Sequence, residues 1–348
     1  MREIQYQKFS WNTHAKNWKS KSPNVCQFEL TFNCGLRCRH CYTDCYNKPA
    51  LIKKELKTKE VMAVLDKAYQ AGVIWVCFTG GDPLTRKDFL EIYTYAKNKG
   101  FIVTVFTNAY SMTQEIADYF KKSPPFVIEM TLNAASKDLY EKISQVKGSF
   151  KKVMQGIELM LKNKIPLKIK TQITKDNVAE LDEIKKLIES WGLEFRPSID
   201  LHARLDGNLT PCNLRLSPKE VFNLNGKKES FEAGCNLKTK GQRPKANNRL
   251  FRCAIGGGDG LNVDPYGNTF MCNLIRKPLI NLLEVDIKEA QNRLLPMIRA
   301  QKFTTDSKCR NCNLIESCRS CPGRAYVETG DIEAPIEYHC QLAKQVVK

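Results

Sequence analysis

The chain has 348 residues, a formal net charge of +18, 4 histidines and 15 cysteines, a length that suits one large domain and a smaller one. No apolar run reaches the ~18 residues of a membrane-crossing helix, and Met1-Arg2-Glu3-Ile4-Gln5 offers no apolar core for a signal peptide. Cysteines in this number without an export signal read as reduced thiols for metal, in a cytoplasm shielded from oxygen, and not as disulfides.

The basic excess admits an acidic partner, such as a nucleic acid or an acidic peptide. Lysines occur on nearly every helical segment rather than in one block, which favours solvated helix faces. No appended RNA-binding domain is visible, so nucleic acid is set aside as a partner.

Residues 1–22 form an N-terminal extension, too short for a separate peptide-recognition domain. From 23 to 235, strands predicted at 25–31, 73–78, 101–106, 126–132, 167–173 and 194–201 alternate with helices at 58–71, 87–98, 113–121, 149–163 and 177–191. In the first helix Val61, Met62, Leu65, Ala68 and Tyr69 recur at helical spacing. Gly72 and Gly100 fall where helices end. Repeated βα units predict an α/β fold with a parallel sheet. Six units suit an open, partial (β/α)6 barrel, with function at the C-terminal ends of its strands.

Beyond residue 201 the alternation stops. Turn signals crowd residues 205–218, and the Lys/Asn/Gly-rich stretch 225–248 reads as a flexible or inserted linker. Residues 236–348 form the predicted second, cysteine-rich domain.

The first strand runs into Cys34, Cys38 and Cys41, spaced C-x3-C-x2-C. Three thiolates on one loop can hold three irons of a cubane and leave the fourth open. Zinc is the alternative, although zinc sites usually pair such a loop with another, and none lies nearby. Later strands end in Phe78-Thr79-Gly80-Gly81-Asp82-Pro83, Thr107-Asn108-Ala109 and Thr131-Leu132-Asn133-Ala134. Together these motifs resemble the radical S-adenosylmethionine (SAM) superfamily.

The resemblance implies that Cys34, Cys38 and Cys41 bind a [4Fe–4S] cluster whose open iron takes SAM. It implies that His40 packs on the adenine. Thr79, Gly80, Gly81 and Asp82 then meet the SAM amino group, with Asp82 in place of the usual Glu. Asn108, Thr131 and Asn133 meet its ribose and carboxylate, with Asn133 in place of the usual Asp.

The C-terminal pattern is Cys253-x13-Gly267-x4-Cys272, then Cys309-x2-Cys312-x5-Cys318-x2-Cys321, then Cys340. By spacing alone, tetrahedral zinc fits as well as iron–sulfur clusters. Behind a radical SAM barrel the pattern resembles the SPASM extension, which holds two auxiliary [4Fe–4S] clusters. Relatives show x3 where this chain has x2 between Cys318 and Cys321. The resemblance assigns Cys309, Cys312, Cys318 and Cys340 to the outer cluster, and Cys253, Cys272 and Cys321 to the inner one. Cys235 is the expected fourth inner ligand, with Cys212 in reserve. Cys26 and Cys77 lie on strands and are expected in the core; Cys45 receives no role.

The implied activity is cleavage of SAM to a 5′-deoxyadenosyl radical, fed by a flavodoxin or ferredoxin. The implied substrate is a ribosomally made peptide or protein side chain that is crosslinked, epimerised or oxidised. In an epimerisation Cys212 is a candidate hydrogen-atom donor. The rivals are a radical SAM dehydrogenase or cofactor-biosynthesis enzyme acting on a small molecule, and a non-enzymatic metal or redox protein.

Overall fold

The computed structural model describes residues 5–20, 22–43, 48–226, 248–251, 260–315 and 317–347. Cys45, Cys235 and Cys253 lie outside the described residues. Strands β1 (Val25–Thr31), β2 (Trp75–Gly80), β3 (Ile102–Thr107), β4 (Val127–Thr131), β5 (Leu167–Gln172) and β6 (Phe195–Ser198) stand side by side in chain order. Each pairs in parallel with the next. The α/β fold with six parallel strands is the one the alternation predicts.

Strand pleating separates two faces. Phe28, Leu30, Val103, Val105, Ile128, Met130 and Ile169 are fully buried against the helices. The alternate positions are half-buried and face inward, strictly so in β3 and β5. Cys26 is buried in this core as expected. Cys77 is not: it shares the half-buried face of β2 with Thr79.

The helix Thr58–Gln70 buries Val61, Val64, Leu65 and Ala68, one apolar stripe. Val64 takes the place expected for Met62, and Tyr69 is exposed. Gly72 and Gly100 follow helices with φ of 87° and 88°, a left-handed backbone that glycine adopts without strain. The second strand starts at Trp75 rather than 73 because the Val73 amide closes the preceding helix onto the Ala68 carbonyl at 3.0 Å. Strand β6 stops at Ser198, short of the predicted 201. Pro197 sits in it because β6 is an edge strand.

Several features exceed the sequence reading. A helix, Tyr6–Ser20, sets Phe9 and His14 against Trp75. A helix, Lys137–Ser144, packs against Ser149–Lys162. Finally β7 (Gly260–Val263) joins the sheet in parallel beside β1, and β8 (Asn268–Phe270) and β9 (Ile280–Asn281) follow antiparallel. The sheet therefore continues past the expected border at 235, and the cysteine-rich segment shares it.

Candidate active site

The C-terminal ends of the parallel strands open on a cavity of about 340 Å³. Cys34, Cys38 and Cys41 line one wall. Their loop is fastened to the end of the helix Lys137–Ser144: Arg37 N donates to Ser144 O at 2.9 Å, and Arg39 N to Ile143 O at 3.0 Å. The Arg39 guanidinium also grips both Asp176 oxygens, at 2.8 and 2.7 Å. Gly35 lies flat on Tyr110; a Cβ there would stand 2.3 Å from the ring.

Burial pushes the Cys34 thiol up to about 12 and raises Cys38 as well. As free thiols they hold their protons, which a metal must displace. Two donors ease that change at Cys34: Leu36 N at 3.4 Å and Asn108 Nδ2 at 3.3 Å. Asn108 Oδ1 accepts from Tyr110 N at 2.9 Å, which fixes the amide. Asn108 thus reaches the Cys34 sulfur, a role the motif alone does not reveal.

Thr79, Gly80 and Gly81 line the cavity. A Cβ on Gly80 would stand 2.1 Å from Thr31 O, and one on Gly81 2.2 Å from Asn33 O. The glycines are needed first for their own chain, since this turn packs on the backbone that leads into Cys34. Gly81 N donates to Thr31 O at 2.7 Å, and Asp82 N to Asn33 O at 2.9 Å.

Asp82 turns its carboxylate into the protein. It accepts from Leu84 N at 3.0 Å, Thr107 Oγ1 at 2.8 Å and Asn108 N at 3.1 Å. Burial raises it to about 6 against those bonds. Its side chain joins the second and third strand ends, and Asp82, unlike Thr79, Gly80 and Gly81, is not among the residues that line the cavity. Ala109 stands at φ 63°, left-handed backbone that glycine adopts without strain and alanine does not.

Thr131, Asn133 and His40 line the cavity beside the cysteine loop. Asn133 Oδ1 accepts from Gln172 N at 2.8 Å, so its amide group donates to His40 Nε2 at 3.2 Å. The ring proton therefore sits on Nδ1, which is buried and has no partner among the described residues. Burial lowers His40 to about 4, leaving it neutral. The cavity lining also holds residues not singled out by motif: Lys170 paired with Glu129, Gln172, Asp200 and His202. Burial lowers His202 to about 4. Burial alone would raise Asp200, but the charges of Arg324 and Arg319 hold it below the usual carboxylate range. Only the strand alternation, which turns every second residue inward, could have flagged this part of the lining.

In the C-terminal segment Cys318 Sγ lies 3.9 Å from the carbonyl oxygen of His339, the residue before Cys340. Burial raises Cys340, and nearby Cys309 and Cys312 add to the effect. Cys309, Cys312, Cys318 and Cys340 thus gather in one place. Cys272 Sγ stands 3.3 Å from where a Cβ on Gly323 would be, two residues past Cys321. Cys212 lies on a short helical turn, Thr210–Asn213, outside the cavity lining. Burial raises its thiol to about 11, and Arg215 and Glu328 are beside it.

These donors fit a cubane and SAM. Three thiols share one wall, with amide donors at Cys34, and His40 Nδ1 is a buried donor left for a ligand. Among the described residues no three His, Cys, Asp or Glu converge on a single-ion site. A cubane takes one thiolate per iron and needs no such convergence.

Residues 28–190 match the family described as Radical SAM superfamily. That stretch is a radical SAM domain. A radical SAM fold binds SAM and a [4Fe–4S] cluster. The radical SAM chain is similar to AdoMet-dependent heme synthase of Methanosarcina barkeri (strain Fusaro / DSM 804), at 24% identity over 90% of this chain and 95% of that protein. It is similar to the mycofactocin maturase MftC of Mycolicibacterium smegmatis (strain ATCC 700084 / mc(2)155), at 28% identity over 50% of this chain and 44% of that protein. Its fold resembles Streptococcus suis SuiB bound to the precursor peptide SuiA, with a TM-score of 0.69 and 16% identity over 96% of this chain and 80% of that one. Among the described residues no helix is long and apolar enough to cross a membrane.

Proposed function

We propose that this radical SAM enzyme modifies a side chain of a ribosomally made peptide or protein, by crosslinking, epimerisation or oxidation. The observation that carries the reading is the shared cavity. The cysteine loop lines it, and so does Asp200, which is tied to the loop of Cys318 and Cys321. When bound by Cys34, Cys38 and Cys41, the cluster would supply the electron for reductive cleavage of SAM, and with it the means to take a hydrogen atom from the substrate. Around it His40, Asn133 and the Gly80–Gly81 turn hold SAM, and Lys170, Gln172 and His202 face the substrate. Flavodoxin or ferredoxin is the proposed electron donor.

Two auxiliary [4Fe–4S] clusters belong to this proposal. Cys309, Cys312, Cys318 and Cys340 hold the outer one. Cys272 and Cys321, with Cys253 and Cys235, hold the inner one. Cys212, beside the Arg215–Glu328 pair, stays a proposed reserve ligand or hydrogen donor. The likeness to a fold bound to its precursor peptide supports a peptide substrate. The test is incubation with SAM, a reductant and short peptides encoded beside the gene, read by mass spectrometry. A SAM-dependent mass change in a peptide supports the reading; unchanged peptides beside an altered small molecule overturn it.

A tetrapyrrole substrate is the second reading. It is favoured by the nearly full-length match to a protein named as a heme synthase. Iron coproporphyrin III, named in another relative, is the probe, and carboxyl loss from it in the same assay decides for this reading.

A further inference from the structure

The cysteine-rich segment is held to the barrel by partly buried ion pairs. Arg276, four residues past Cys272, grips both oxygens of Glu29 on β1, at 2.7 and 2.8 Å. A second carboxylate in such pairs is Asp200, just past β6. Its Oδ1 accepts from Arg319 at 2.9 Å and from Arg324 at 3.3 Å. Arg319 lies inside the C-x2-C loop, between Cys318 and Cys321. Arg324 lies in the first turns of the helix Pro322–Thr329 that leaves that loop. Their side chains are only 20% and 14% exposed, so salt and water screen these charges less than at an open surface. Asp200 is also the one member of this group that lines the cavity.

Asp200 therefore does two things at once. It sets the distance between the cavity and the Cys318–Cys321 loop, and it cancels part of the positive charge beside that loop. An iron–sulfur cluster gains negative charge on reduction, and nearby charge tunes its potential. Uncompensated guanidinium groups favour the reduced state; a carboxylate opposes it.

We propose that Asp200 is a positioning residue that docks the Cys318–Cys321 loop at the cavity wall and keeps low the reduction potential of the outer cluster, the one that Cys318 joins. This rests on the auxiliary clusters of the proposed function. The test uses the full chain with Cys34, Cys38 and Cys41 all replaced by Ala, so that only auxiliary iron remains. Midpoint potentials are read by anaerobic titration with electron paramagnetic resonance, alongside iron content.

In that background Asp200→Asn, which keeps size and a hydrogen-bond acceptor, is expected to retain iron and move a midpoint to more positive values. Arg319→Gln is expected to move it the opposite way, and Asp200→Glu to leave it near the parent value. Retained iron with unmoved midpoints in both Asp200→Asn and Arg319→Gln overturns the proposal alone. A parent protein without residual iron overturns it together with the auxiliary-cluster reading. If Asp200→Asn does not fold, the sign of the Arg319→Gln shift decides: negative supports the proposal, zero or positive overturns it.

Discussion

The side-chain amide of Asn108, at the end of β3, donates to the sulfur of Cys34 at 3.3 Å. The bond fastens a barrel strand to the first cysteine of the loop across 74 residues of chain. A hydrogen bond to a charged sulfur contributes about 1.5–3 kcal/mol, and donors to cluster sulfurs raise the reduction potential. Asn108→Ala is expected to assemble the first cluster but to lower its midpoint potential. SAM cleavage driven by a fixed-potential reductant should slow about tenfold or more, since ~1.4 kcal/mol is a factor of ten. A redox titration of the variant checks this; an unmoved midpoint contradicts it.

Gly81 touches both the cavity and the backbone of Asn33, and the second contact dominates. A Cβ at 2.2 Å from a backbone carbonyl cannot be relieved by a side-chain rotation. Overpacking of this kind costs about 1–3 kcal/mol, and here it pushes on the segment that enters Cys34. Gly81→Ala is expected to lower both the melting temperature and the iron bound by the Cys34 loop. Iron analysis with thermal unfolding distinguishes this from a change confined to SAM affinity, which would leave both at wild-type values.

Glu333 anchors the segment before Cys309. Its carboxylate accepts from Thr304 N at 2.8 Å, Thr304 Oγ1 at 2.7 Å, Thr305 N at 3.0 Å and Thr305 Oγ1 at 2.6 Å. These bonds hold it down to about 2, against about 4.3 for an unfolded Glu. A depressed carboxylate contributes stability above its unfolded value and loses it as pH falls towards the folded one. The wild type should therefore melt higher than Glu333→Gln at pH 7, and the gap should close between about pH 4.5 and 2. Melting curves of both proteins across that range test it; a gap independent of pH contradicts it.

Much of the fold was legible because periodicity reports burial. The alternation in β3 and β5 and the stripe Val61, Val64, Leu65, Ala68 both follow from which face meets the core. The short strands β7–β9 were not legible: with two to four residues each they carry no period, and their pairing is set by β1 far upstream. In the site, the cysteine spacing marked one wall, since ligand geometry constrains sequence locally. The other lining residues, Lys170 and Gln172 on β5 and Asp200 and His202 past β6, show in the sequence only the every-second-residue alternation, which gives the face they take and not what they meet there. The motif also could not say that Asp82 serves the strand ends, because its partners Thr107 and Asn108 come from the next βα unit.

The central claim is that the loop of Cys34, Cys38 and Cys41 holds the cluster that splits SAM. Anaerobically reconstituted, reduced protein should form 5′-deoxyadenosine from SAM even without substrate, and Cys38→Ala should form none. Wild-type amounts of 5′-deoxyadenosine from Cys38→Ala would contradict the account.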